Sequence, residues 1–112
     1  MQTAKFLRGR FLKAADMKGK EPLPVTISSV EEMEVGQPKE SKLVIFFKEL
    51  EQGLVAGAGI QRLLGELFDP HYDAETGSSD TDTWLGQEMV LYYDPNVLFQ
   101  GKRVGGVRLR KE

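Results

Sequence analysis

The sequence predicts an all-β domain with one main helix, because two kinds of hydrophobic period run along it. Five short stretches alternate apolar and polar residues or form brief apolar runs bounded by turn residues: 25–35, 42–49, 54–56, 84–93 and 103–110. One stretch, near residues 58–68, has apolar residues at helical spacing instead. The order strand, strand, strand, helix, strand, strand predicts an OB-fold-like, five-stranded antiparallel barrel. An open antiparallel sheet with one helix packed on it is the alternative.

Turn-forming residues separate the first three predicted strands. Residues 25–30 alternate apolar and polar side chains for most of their length, and we expect this strand to continue to Val35. The segment GQPKES, residues 36–41, predicts a turn before the second strand. The segment LEQG, residues 50–53, then turns the chain into the third strand.

The predicted helix carries one apolar stripe, which we expect to be buried and to close one open end of the barrel. Its members lie three or four residues apart: Ile60, Leu63, Leu64, Leu67 and Phe68. The helix should end at Asp69-Pro70, because the residue before a proline is pushed out of helical geometry. Residues 71–83 are then expected to form a polar, acidic loop.

The alternation of side chains along each strand predicts the hydrophobic core. The residues expected to be buried are Trp84, Met89, Leu91, Ile45, Phe47, Leu64 and Val107. The same parity places Val44, Val90 and Tyr92 on the outside of the barrel.

Length and composition predict one domain preceded by a basic leader. The chain has 112 residues, and we expect residues 1–20 to be a partly flexible leader and residues 21–112 to be a single barrel. The absence of cysteine excludes disulfides, thiolate metal sites and thiol nucleophiles. No apolar stretch approaches the roughly 18 residues needed to cross a bilayer, so we expect no membrane partner. The lack of cysteine fits a reducing cytoplasm, which is the location we expect.

The charges are segregated along the chain, although the formal net charge is only −2. Residues 63–101 contain eight acidic residues and no Lys or Arg, so all 15 basic residues lie outside that block. Five of them fall within residues 102–112. Such an asymmetry favours a polyanionic partner. The alternative is that these are solvated faces sorted by chance.

The segments FLKAADMKGKEPLPVTI, GLVAG and WLGQEMVLYYDPNVLFQGKRVGGVRLR resemble a group of small, mostly uncharacterised phage- and prophage-encoded proteins. The shared pattern is a leader with Asp and Gly, a first strand, a helix, Trp-x-Gly, Phe-x-Gly-Lys, and a last strand alternating apolar residues with Arg. The resemblance spans residues 11–110 and departs at residues 56–59, where Ala-Gly-Ala-Gly replaces a polar helix cap. It implies an OB-like fold related to single-stranded-DNA-binding proteins and a phage setting, and therefore the cytoplasm of a bacterial host cell.

Catalytic and metal-binding signals are sparse. The single imidazole, His71, lies in the segment DPHYD with Asp69 and Asp73, and these three residue types can hold a divalent ion. A solvated connector is the competing interpretation. Asp80 and Asp82 resemble the start of a calcium loop, but its glycine and distal Glu are missing. Phosphate-binding glycine motifs are absent as well. We therefore predict a protein that is not an enzyme and has no cofactor or metal.

Basic and aromatic residues share faces of the predicted strands. An aromatic residue beside lysines, such as Phe46 between Lys42 and Lys48, suits the stacking of a base while its phosphates are neutralised. OB-fold ligands lie across the second and third strands and between two loops. The predicted site contains Lys39, Lys42, Phe46, Lys48, Tyr92, Phe99, Lys102, Arg103 and Arg108. In the competing interpretation, Phe46 and Tyr92 pack under the leader and the lysines form a solvated rim.

These residues predict binding of single-stranded nucleic acid with little sequence preference, in phage replication or recombination. We expect DNA, although RNA is an alternative because contacts to the 2′-hydroxyl cannot be identified from the sequence. The alternative function is a protein-interaction module, an accessory of a phage replication enzyme that grips a peptide with the same barrel. The acidic block at residues 63–101 favours that alternative, since it would repel nearby DNA.

Overall fold

A computed structural model describes residues 11–35 and 39–111, the side chain of Phe99 excepted. The strands are β1 (Leu23–Val35), β2 (Glu40–Phe47), β3 (Leu54–Ala56), β4 (Glu88–Asp94), β5 (Leu98–Phe99), β6 (Lys102–Arg103) and β7 (Gly106–Arg110). The helices are α1 (Ala14–Met17), α2 (Ala58–Phe68) and a 3₁₀ helix at Thr81–Trp84. Within these residues, no helix has the length and hydrophobicity required to span a membrane.

The fold is built on one antiparallel sheet of five strands in the order β3-β2-β1-β4-β7. This confirms the predicted β-rich class, the antiparallel pairing and the single main helix. The sheet is not closed, because β3 and β7 are its two edges and do not pair with each other. Strands β5 and β6 form a separate two-stranded hairpin.

The long strand β1 changes partner along its length. Leu23 to Thr26 pair with β4, whereas Ile27 to Val35 pair with β2. The register shifts between Ile27 and Ser29. An irregularity of this kind bends a strand and increases its local twist. One strand therefore belongs to both halves of the sheet.

The second half of the leader packs onto the sheet. Phe11 forms a parallel bridge with Gly53, and the Leu12 N–H donates to the Gly53 carbonyl at 2.8 Å. Helix α1 contacts both β4 and β7. Met17 is buried in the same hydrophobic core as Leu109. The leader from residue 11 onward therefore runs from the start of β3 to the β4–β7 half, whereas residues 1–10 of the expected flexible segment lie outside the described residues.

The core agrees with strand parity at most positions. Six of the residues expected to be buried are buried: Trp84, Met89, Leu91, Ile45, Phe47 and Leu64. Val107 is half-buried and packs against them.

Three burial expectations were wrong. Val44, expected outside, is fully buried, because Gly53 lies directly against its side chain. Val90, also expected outside, is buried as well, although it lies on the opposite face of β4 from Met89 and Leu91 and is not part of their core cluster. Leu67, expected within the buried helical stripe, is 37% exposed. The sheet is thus covered on parts of both faces, while the helix leaves one apolar position uncovered.

Helix α2 occupies the predicted range, but the last two strands are shorter than expected. Trp84 ends a 3₁₀ helix, which the Asp80 side chain caps by accepting the Asp82 N–H at 3.0 Å, and β4 begins only at Glu88. The strand expected at residues 103–110 is interrupted by Gly105, which has a φ of 74° and lies against the Tyr93 hydroxyl. Only Gly fits there, since this backbone conformation and this contact leave no room for a Cβ.

Candidate nucleic-acid interface

A cation–aromatic surface lies on the outer face of β4 and β7. The antiparallel register places Tyr92 opposite Arg108, and Val90 opposite Arg110. Because side chains alternate along a strand, Tyr92, Arg108 and Arg110 share one face. The Arg110 guanidinium carbon lies 5.9 Å from the centroid of the Tyr92 ring. That distance is within the range of a cation–π interaction. We call these three residues the terminal patch.

The cations of the terminal patch keep their charge available. Arg108 is half-buried, and its guanidinium lies beside Gly59 at the start of α2. Arg110 is exposed. Among the described residues, the ion pair that is found joins Lys42 to Glu40 on β2, and it involves neither arginine. The patch therefore presents positive charge beside an aromatic ring.

The face of β2 is a surface of mixed charge. The Lys42 ammonium lies 3.2 Å from a carboxylate oxygen of Glu40, and both side chains are exposed. Lys48 is followed by Glu49, which accepts the Thr26 N–H at 2.7 Å. This hydrogen bond holds the pKa of Glu49 below its ordinary value, with a smaller contribution from the Lys48 charge. Both lysines therefore have a carboxylate nearby.

Phe46 is less accessible than the sequence suggested. It is half-buried, and Gly53 lies against its ring. Phe11 of the leader forms its bridge with the same glycine. Phe46 is therefore partly covered by another segment of the chain, as the competing interpretation expected. The residue that covers its ring is Gly53, however, and not a residue of the leader.

The β5–β6 hairpin carries two further predicted cations. Lys102 and Arg103 are exposed on β6. Gln100 and Gly101 form the tip with φ values of 52° and 78°, as in a two-residue hairpin turn with both central φ angles positive. The side chain of Phe99 lies outside the described residues. Lys39, also exposed, precedes β2.

The structure therefore divides the predicted site. Tyr92 and Arg108 are neighbours on adjacent strands. Lys102 and Arg103 form β6, which precedes β7 in the chain. Phe46 does not join them, because β1 lies between β2 and β4. Phe46 pairs with Ser29 on β1, whereas Leu91, the neighbour of Tyr92, pairs with Leu23, so the two positions are also six residues apart along β1, which is about 20 Å at roughly 3.3 Å per residue.

Arg110 was missing from the predicted site. The alternation of Val107, Arg108, Leu109 and Arg110 already placed both arginines on one face. Its contact with Tyr92, however, depends on the register between β4 and β7, which the sequence does not give directly.

The acidic loop is organised around a buried carboxylate. Asp69 is 7% exposed and accepts hydrogen bonds from the backbone N–H groups of Asp80 and His71, both at 2.8 Å, and from the Ser79 hydroxyl at 3.2 Å. These bonds, led by the one from Asp80, hold the pKa of Asp69 below its ordinary value. The Trp84 indole N–H donates to the Ser79 Oγ at 3.2 Å. Asp69 thus fastens the loop to the end of α2 and to Trp84, a role the sequence did not indicate.

The sequence-based metal candidate is not assembled in the described residues. No group of three His, Asp or Glu side chains within residues 11–35 and 39–111 lies close enough to hold an ion. The carboxylate of Asp69 faces loop amides, and that of Asp73 accepts the Glu75 N–H at 2.9 Å.

No protein-family model matches this chain, and no significant match was found among curated proteins or solved structures.

Proposed function

We propose that this chain binds single-stranded nucleic acid, without catalysis and with little sequence preference, through the terminal patch. The observation that carries the proposal is the Arg110 guanidinium over the Tyr92 ring, with Arg108 opposite that ring in the register. Bases stack on aromatic rings and on guanidinium planes, while cations neutralise the phosphates. Since every base has a π-face, such binding tolerates any sequence.

The basic hairpin extends the proposed site. Lys102 and Arg103 precede β7 and are exposed, so a strand held at Tyr92 and Arg108 would have further cations along its path. A second contact with the nucleic acid stays a prediction, and it would involve Lys39, Lys42, Phe46 and Lys48. Carboxylates lie near Lys42 and Lys48. We therefore expect these two lysines to contribute less to the binding free energy than the arginines of the terminal patch.

We further propose that the fold is a partly open OB-type barrel. Its support is a helix between the third and fourth strands of the main sheet, and a first strand that pairs with both the second and the fourth. OB folds are five-stranded, partly open Greek-key barrels. The proposed phage setting, in replication or recombination, rests on the sequence resemblance alone.

Fluorescence anisotropy with a labelled oligo-dT at low salt tests the proposal. The oligonucleotide should exceed the roughly 4–16 nucleotides that one OB fold covers. Unlabelled single-stranded DNA should compete well and duplex DNA poorly, and an RNA competitor separates DNA from RNA binding. The variant R108Q/R110Q should bind weakly. The matched variant K18Q/K20Q, which removes two exposed cations from the leader, should bind nearly as well as the unmodified chain.

The alternative, a peptide-binding module, is favoured by the open sheet. Within residues 11–35 and 39–111, strands β3 and β7 each pair with one other strand of the sheet, and a peptide can add a strand to a free edge. The contact of α1 with β7 argues against the β7 edge. If oligonucleotide affinity is weak and indifferent to Arg108 and Arg110, the peptide-binding function becomes the better one.

A further inference from the structure

The basic hairpin, which we define as residues 97–104, is closely packed where it joins β7. The Val97 carbonyl accepts the N–H groups of Val104 at 3.0 Å and of Gly105 at 3.3 Å. A Cβ at Gly106 would lie 3.0 Å from Val97 Cγ2, so the backbone of Gly106 is in close contact with this side chain. The base of the hairpin is therefore held by hydrogen bonds and by packing.

Tyr93 supports the same connection from the core side of the sheet. Gly105 is buried, and a Cβ at this position would overlap the Tyr93 hydroxyl. Tyr93 is half-buried and packs against the hydrophobic core. Since successive side chains of a strand point to opposite faces, Tyr93 points away from the face that carries Tyr92. Tyr93 and Gly105 thus fix the hairpin without belonging to the terminal patch.

This connection joins two groups of cations. Residues 95–111 contain five basic and no acidic residues. Arg103 on the hairpin and Arg108 in the terminal patch are five positions apart, so their Cα atoms are separated by at most about 18 Å. Phosphates of a helical strand are about 3.4 Å apart along the axis, and roughly six nucleotides span that distance. One short strand can therefore reach both groups.

The orientation of the hairpin decides which cation such a strand meets. Lys102 and Arg103 are consecutive residues of β6, so their side chains lie on opposite faces of the hairpin. A strand bound at the terminal patch then passes one of these faces. A hairpin whose orientation is already fixed also avoids the entropic cost of being ordered when the strand binds.

We propose that Tyr93 and Gly105 are positioning residues, which fix the basic hairpin so that one of its cations binds the same nucleic-acid strand as the terminal patch. This inference rests on the proposed nucleic-acid function. Neither residue carries a charge, so replacing either one removes no cation. Its effect on the salt dependence of binding must therefore act through the hairpin.

A double-mutant cycle on the binding of a labelled 16-mer oligo-dT tests the proposal. K102Q/R103Q should lose one phosphate contact, which flattens the slope of log K against log salt by about 0.7. Y93L keeps every cation but should flatten the slope by a similar amount, because the hairpin is no longer held. Adding Y93L to K102Q/R103Q should change the slope no further. The conservative variant Y93F keeps the ring and should keep the unmodified slope.

Glycine variants disturb the same contact from its other side. G105A places a Cβ against Tyr93 and should reproduce the slope of Y93L. Gly86 has a φ of 79°, close to the 74° of Gly105, but nothing lies within 4 Å of its Cβ position. G86A therefore introduces similar backbone strain without the contact, and it should leave the slope unchanged. Binding is compared at a temperature at which thermal unfolding shows each variant to be folded.

The outcomes separate this inference from the proposed function. Slope changes that add up in the cycle, or an unmodified slope in Y93L and G105A, overturn the positioning role and leave nucleic-acid binding intact. An unmodified slope in K102Q/R103Q does the same, because the hairpin is then outside the site. If the unmodified chain does not bind oligo-dT, the proposed function fails and this inference fails with it.

Discussion

Arg110 lies over the ring of Tyr92, 5.9 Å from its centroid, and Arg108 faces that ring from the opposite position of the β4–β7 register. One aromatic side chain is thus accompanied by two cations on a rigid, hydrogen-bonded pair of strands. Cations and stacking depend differently on salt, so their contributions can be separated by measurement.

The salt dependence of binding should report the two arginines. For single strands, log K falls with log salt at a slope of about −0.7 per phosphate neutralised. R108Q/R110Q should therefore flatten the slope by roughly one to two units. Anisotropy titrations at several salt concentrations measure it, with K18Q/K20Q as the control. An unchanged slope in R108Q/R110Q would remove these arginines from the interface.

Replacing Tyr92 by Ala should have a different signature. Stacking is worth about 1–3 kcal/mol per base, so affinity should fall by that amount at every salt concentration while the slope stays constant. Tyr92→Phe keeps the ring and should bind nearly normally. Because Tyr92 is half-buried, thermal unfolding must show that both variants are folded. Equal binding by Tyr92→Ala and the unmodified chain would contradict stacking at this position.

A matched pair of glycines tests the cover over β2. A Cβ at Gly53 would lie 2.5 Å from Val44 Cγ1 and 2.9 Å from Phe46 Cε1. Gly53→Ala should therefore cost about 1–3 kcal/mol in the free energy of unfolding by overpacking. Gly57 has nothing within 4 Å of such a Cβ, so Gly57→Ala should be nearly neutral. Denaturant unfolding compares the two variants. Equal free energies of unfolding would show that Gly53 is not closely packed against β2.

Two leucines of α2 provide the corresponding test of the core. Leu64 is fully buried, and Leu64→Ala should cost about 2–5 kcal/mol through lost transfer energy and a cavity. Leu67→Ala, at a 37% exposed position of the same helix, should cost much less. Urea unfolding of the two variants gives the comparison. A similar loss in both would mean that the helix packs through a different face.

Asp69 should make part of the free energy of unfolding depend on pH in the acidic range. Its folded-state pKa is below the unfolded value, so its contribution is complete above the ordinary carboxyl range and is lost as pH falls through the lowered pKa. Asp69→Asn should reduce stability at neutral pH and make the acid side of the stability profile shallower. Thermal unfolding from neutral to acidic pH measures this, with Asp82→Asn as control. Parallel acid profiles for Asp69→Asn and the unmodified chain would contradict it.

Local patterns predicted the parts of the structure that local interactions determine. The helical period located α2, and strand parity identified Ile45, Phe47, Met89 and Leu91 as core, because both signals depend on residues a few positions apart. Closure of the sheet was not predictable, since it requires pairing between β3 and β7, which are distant in sequence. Val44 was misplaced for the same reason, as its cover is Gly53.

The candidate site was predictable in residue type but not in grouping. Tyr92 and Arg108 were found from alternation, whereas Arg110 joined them only through the register with β4. The carboxylates beside Lys42 and Lys48 were visible in the sequence, yet the ion pair with Glu40 depends on side-chain geometry. The role of Asp69 depends on the path of a loop, for which the sequence offers no period.

The change of partner along β1 has a consequence for the order of folding. Most of β1 pairs with β2, its next neighbour in sequence, but Leu23 to Thr26 pair with residues 88–91. Closing the long intervening loop costs more entropy than closing a hairpin, and non-local pairing slows folding. We therefore expect the β1–β2 hairpin to form early. During synthesis, Leu23 to Thr26 would stay without partners until β4 has left the ribosome, leaving an apolar strand end open to aggregation.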